Sequence, residues 1–118
     1  MANSPKLLAE LSKSKDPDAR ALKEMVAQGA DLSKVHGPDF AFEAVKEADA
    51  QAIAEALDSL GYEVRMYEPD DENPNYQVTG QRAMVLALAE LSRLTKQFEA
   101  LARTNNAIYD GWGAEIVE

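Results

Sequence analysis

His36 is the only histidine, the residue type most often used as a general base near neutral pH. It stands in the turn-type cluster His36-Gly37-Pro38-Asp39. No cysteine, no G-x-S-x-G serine and no second histidine accompanies it, so neither a nucleophile–base pair nor a metal site assembles around it. It reads as an ordinary loop residue. Asp70-Asp71-Glu72 offers hard oxygen ligands, but without the alternating acids, central glycine and terminal glutamate of a calcium loop. Between Pro69 and Asn73-Pro74-Asn75 it reads as a solvated hairpin tip. Gly29, Gly37 and Gly61 stand alone, so no phosphate-cradling loop is present. Arg82, Arg93, Lys96 and Arg103 form a loose basic set, and the last three fall on the outer side of a helix. No catalytic residue, metal site or cofactor is expected.

Tyr109-Asp110-Gly111-Trp112-Gly113 is of another kind. It gathers the only tryptophan, a tyrosine and two glycines in five residues. Glycine inside a strand marks a bulge or a close backbone approach, and Asp110 is suited to accept backbone N–H groups at such a bend. Tyr109 and Trp112 then either pack the end of a sheet or stand out as aromatic anchors for a partner.

Composition narrows the function further. A chain of 118 residues fits one domain. Its 21 acidic and 12 basic side chains give a net charge of −9, the wrong sign for direct binding to nucleic acid or an anionic membrane. A basic protein partner fits better. The charge is segregated. Residues 36–75 hold 11 acidic and 2 basic groups, whereas both flanking stretches are nearly neutral. Of the hydrophobic residues, 20 are alanine, which leaves a modest core and no room for a deep enclosed site. The absence of cysteine and of a signal or membrane-spanning run in the sequence leads to an expectation of a cytoplasmic protein.

These residues need elements to hold them. Leu7, Leu8 and Leu11 suit a short amphipathic helix. Asp16-Pro17 reads as a cap and first helical position, with Leu22, Met25 and Val26 as the stripe and Gly29 after its end; Pro17 alternatively kinks one longer helix. Phe40, Phe42 and Ala44 alternate as a first strand. Asp49 is expected to cap a helix with Ile53, Ala56, Leu57 and Leu60 on one face and Gly61 at its end. Tyr62, Val64 and Met66 alternate as a second strand, and a return strand is expected from Tyr76 to about Val85. Leu86 to Ala89 fits strand or helix. Leu91, Leu94, Phe98 and Leu101 mark a second helix, and Ala107 to Val117 a last strand. The expected fold is α+β: a ferredoxin-like βαββαβ sandwich, a four-stranded antiparallel sheet with two helices on one face. An N-terminal helical extension, residues 1–33, precedes this 34–118 domain, all within one compact domain.

Ile108-Tyr109-Asp110-Gly111-Trp112-Gly113 resembles the Y-D-G-W-G signature of the regulator of ribonuclease E activity B family. Leu60-Gly61-Tyr62-Glu63-Val64 is similar to that family's L-G-Y-E-V segment. The resemblance covers residues 20–118. It implies a ferredoxin-like, non-enzymatic protein that binds ribonuclease E and inhibits RNA processing. The sequence departs from that pattern at its end: Glu118 directly follows the last expected strand, and the acidic C-terminal extension of some members is expected to be lacking. With the segregated acidity, the expected partner is ribonuclease E or another basic RNA-handling protein, and the expected contact residues are Glu63, Asp70, Asp71, Glu72, Tyr109, Asp110 and Trp112. Gly61, Tyr62, Gly111 and Gly113 are the expected structural signature. The competing reading is an acidic adaptor or immunity-type module for another basic protein.

Overall fold

The computed structural model describes residues 3–118. Met1 and Ala2, within the stretch read above for a signal sequence, lie outside them. The chain divides into two units. The first comprises Met1–Gly37, Ala83–Leu94 and Ala114–Glu118; the second comprises Pro38–Arg82 and Thr95–Gly113.

In the first unit, Pro17 starts a separate helix and does not kink a long one. α1 spans Pro5–Lys13 and α2 spans Pro17–Ala27. Ser4 caps α1 by accepting from the Leu7 N–H at 3.1 Å. Asp16 caps α2 by accepting from the Asp18 N–H at 2.9 Å, with Pro17 at a position that needs no donor. Gly29 follows in the left-handed region, φ 100°, which a side chain rarely tolerates. The buried side chains of this unit include Leu11, Leu22, Leu32, Leu86 and Leu91.

Two elements here differ from expectation. His36 is not in a turn. It pairs with Met84 in a two-stranded antiparallel ribbon, β1 (Val35–His36) against β5 (Met84–Val85). The expected return strand accordingly stops at Gln81, and the chain leaves the main sheet before β5. His36 is buried, and both ring nitrogens are engaged. Its Nε2 accepts from the Val117 N–H at 3.2 Å, which leaves Nδ1 to carry the proton facing the Lys34 carbonyl at 3.0 Å. Val117 also accepts from the Asp31 N–H at 2.8 Å. Residues 114–118 are thus a strap and not the end of a strand.

The second unit holds β2 (Asp39–Ala44), α3 (Glu47–Ser59), β3 (Glu63–Tyr67), β4 (Tyr76–Gln81), the C-terminal part of α4 (Leu88–Thr104) and β6 (Ala107–Gly113). The sheet runs β3-β4-β2-β6, with every neighbouring pair antiparallel. This α+β order places β2 and β3 apart with β4 between them, a split βαβ. The helix cap differs from expectation: Lys46 is the N-cap of α3 and makes no side-chain cap bond, while Asp49 lies in the first turn, where its charge favours the helix dipole.

One face of this sheet carries the core. Phe40 and Phe42 on β2, Tyr62, Phe98 on α4 and Tyr109 on β6 form a cluster of edge-on and tilted rings. Phe98 is at its centre, with centroids 5.1–5.7 Å from Phe40, Phe42, Tyr62 and Tyr109. Leu57 of α3 lies over Gly80 on the same face, which β2–β4 pairing gives to Phe40 and Gly80 together.

Candidate functional site

With the helices on one face, strand alternation assigns the other face directly. Three cross-strand rows make it. The first is Tyr67, Gln77, Glu43 and Ile108; the second Arg65, Thr79, Ala41 and Gly111; the third Glu63, Gln81, Asp39 and Gly113. Tyr67 and Ile108, at the two ends of the first row, are 47% and 63% exposed. No heavy atom lies within 4 Å of where a Cβ would stand at Gly111 or Gly113. This face is open to solvent along β6.

A bulge sets which C-terminal residues share it. Ala41 pairs with Gly111 but Phe42 pairs with Tyr109, so Asp110 is the extra residue. Gly111 takes φ 95°, the conformation this bend demands and glycine allows. Without the bulge, residues 109 and 112 would face opposite ways. With it, Tyr109 and Trp112 both stand on the helix side, opposite Phe42 and Phe40. Tyr109 packs on Phe42 and Phe98 and Trp112 is half-buried, so both serve the fold. Asp110 is exposed on the bulge.

The expected contact residues therefore fall in separate places. Glu63 is exposed in the third row of the open face. Asp70, Asp71 and Glu72 lie beyond β3 in the hairpin tip. There Asp70 is a turn former: its Oδ1 accepts from the Glu72 and Asn73 N–H groups at 2.9 and 2.8 Å. Asp71 and Glu72 are exposed. Gly61 follows α3 at φ 88°, and Tyr62 is buried in the ring cluster with the Arg82 guanidinium 5.7 Å from its centroid.

Glu43 is the residue that sequence reasoning passed over. It lies in the middle of the first row, and its Oε1 accepts from the Asn73 Nδ2 at 3.0 Å and from the Gln77 Nε2 at 3.5 Å. The hairpin tip is thereby tied to the open face. No local pattern marks Glu43; only the register does. Partial loss of hydration against the sheet and, second, the charge of Glu43 hold the Asp110 carboxyl above the usual carboxylate range. Among the described residues, neither Glu43 nor Asp110 has an ion-pair partner.

A pH-dependent result follows. The folded chain binds a proton at Asp110 more readily than the unfolded chain does. The stability that this proton contributes is present below the ordinary Asp range and is lost as pH rises through the raised value. Asp110→Asn is expected to raise the urea midpoint at neutral pH, with the gain disappearing below ~3.9, the usual Asp value. Paired denaturation curves across that range check it; an equal midpoint at neutral pH contradicts it.

Among the described residues, no group of three or more His, Cys, Asp or Glu side chains is placed to hold a metal ion. No helix among them is long and apolar enough to cross a membrane. A family model described as Regulator of ribonuclease activity B matches residues 15–114. Both segments that carried the sequence resemblance, 60–64 and 108–113, lie inside the match. No curated protein matches the chain.

Proposed function

Because the chain belongs to the regulator of ribonuclease activity B family, whose members regulate a ribonuclease at the protein level, we propose that it binds ribonuclease E or a related RNA-decay assembly and inhibits it without catalysis of its own. The observation that carries this reading is the placement of charge. The second unit holds 13 acidic and 5 basic side chains, whereas the first is nearly balanced with 8 and 7. A protein that handles RNA needs a basic surface for phosphates. An acidic surface of matching extent competes for that site and gains speed of association from the opposite charges.

Two measurements test it. Cleavage of a model RNA by purified ribonuclease E is followed with increasing amounts of the chain, and retention of the ribonuclease is measured at low and moderate salt. Cleavage is expected to slow as the chain is added, and retention to weaken with salt. Asp71→Lys with Glu72→Lys, which spares the turn-forming Asp70, is expected to lower affinity by about ten-fold or more. Unslowed cleavage, together with no retention at either salt, rejects the reading. Undiminished affinity in the double variant removes the hairpin tip from it.

A further inference from the structure

The open face of the sheet differs from the hairpin tip in a way that selects a partner. Its centre is small: Thr79, Ala41 and Gly111 form the middle row across β4, β2 and β6. The rows on either side are larger, with Gln77, Glu43 and Ile108 along one and Gln81 and Asp39 along the other. Successive rows on one face are about 6.8 Å apart, so the outer rows stand about 14 Å from each other. The result is a shallow trough across the strands, wide enough for one polypeptide segment.

Its charge and apolar surface are arranged together. Asp39, Glu43, Glu63 and Asp110 are acidic, and Arg65 is the single basic residue of the three rows. Glu43 and Asp110 flank the end of the trough next to exposed Ile108. Partial loss of hydration and, second, the charge of Glu43 already make ionisation of Asp110 harder, and a cation seated between the two carboxylates removes the charge part of that cost. The edges of the sheet are less suited to pairing. β6 is interrupted by its bulge, and β3 is five residues long with Glu63, Arg65 and Tyr67 exposed.

We propose that this trough is the docking site for a basic segment of the partner protein, whose lysine or arginine heads meet Glu43 and Asp110 while its aliphatic side chains cover Ala41, Gly111 and Ile108. The proposal rests on the reading of the chain as a partner-binding regulator and extends the contact from the hairpin tip onto the sheet face. The partner's chemistry is cationic and aliphatic in one stretch, not cationic alone.

The test uses the full chain, isotope-labelled, titrated with a synthetic twelve-residue peptide of arginines and leucines. A second peptide carries glutamate for each arginine. Amide shifts are expected at residues 41, 43, 79 and 108–111 with the arginine peptide and none with the glutamate peptide. Ala41→Arg, which fills the trough with bulk and like charge, is expected to weaken the arginine peptide by about ten-fold or more. Glu43→Gln is nearly isosteric, keeps an oxygen that accepts from Asn73 Nδ2, and is expected to weaken it several-fold. Shifts confined to residues 70–72, equal binding of the two peptides, or unchanged affinity in both variants overturns the proposal. The same variants separate it from the reading it rests on. Ribonuclease bound equally by wild type and Ala41→Arg overturns the trough and leaves the regulator reading standing. Arginine peptide mapped to the trough with no ribonuclease bound does the reverse.

Discussion

Phe98→Ala is expected to destabilise the second unit by about 3–5 kcal/mol, the range for emptying a fully buried aromatic site. Phe98 is 0% exposed and its ring meets four others, so truncation removes its own burial and four edge-on or tilted contacts at once. The rings around it belong to β2, β6 and Tyr62 just before β3, which cannot close together without separating their strands. Phe98→Leu keeps most of the volume and loses the ring geometry, and is expected to cost less than half as much. Urea denaturation of the three proteins checks both values. A loss below about 1 kcal/mol for the alanine variant contradicts the central role given to this ring.

The second large effect is at the contact of α3 with the sheet. A Cβ added to Gly80 would stand 3.1 Å from Leu57 Cδ1 and 3.3 Å from Tyr62 Cβ. Gly80→Val therefore overpacks a buried position, at about 1–3 kcal/mol. Leu57→Ala, with Leu57 0% exposed, opens a cavity at about 2–5 kcal/mol. Combined, the new methyl groups enter the space that Leu57 vacates. The double variant is expected to be more stable than the sum of the single losses implies. A double-mutant cycle with no coupling would show that Leu57 is free to move aside and that Gly80 is not the reason for the close approach.

Most of the second unit is legible in the sequence because its signals are local. Phe40, Phe42 and Ala44 alternate, Ile53 and Leu57 are spaced as a helix face, and Pro69 to Asn75 can be little other than a hairpin loop. The ribbon of β1 and β5 is not legible. Each strand has two residues, too few for any period to register, and their pairing joins positions about fifty residues apart. The place of His36 is illegible for the same reason: its surroundings come from Val117 and not from its neighbours Gly37 and Pro38. The hairpin acids were visible as a charge run, but the turn bonds of Asp70 were not. Glu43 and the trough were invisible because a face exists only once register is known. One unpaired residue, Asp110, reverses the facing of everything after it in the motif.

The division of the chain has a consequence for synthesis. The first unit draws on three separated stretches, and the second on two, with residues 95–113 supplying the last helix turns and β6. A ribosome therefore delivers the acidic stretch from Asp39 to Glu72 well before either unit has all its parts. Phe40 and Phe42 must wait for Phe98 and Tyr109 to emerge, and His36 for Val117. During that interval the nascent chain exposes apolar strands beside a dense negative charge. Like charges at that density oppose the close approach of neighbouring nascent copies while the strands are unpaired. The acidity then serves the chain before it has a surface to offer any partner.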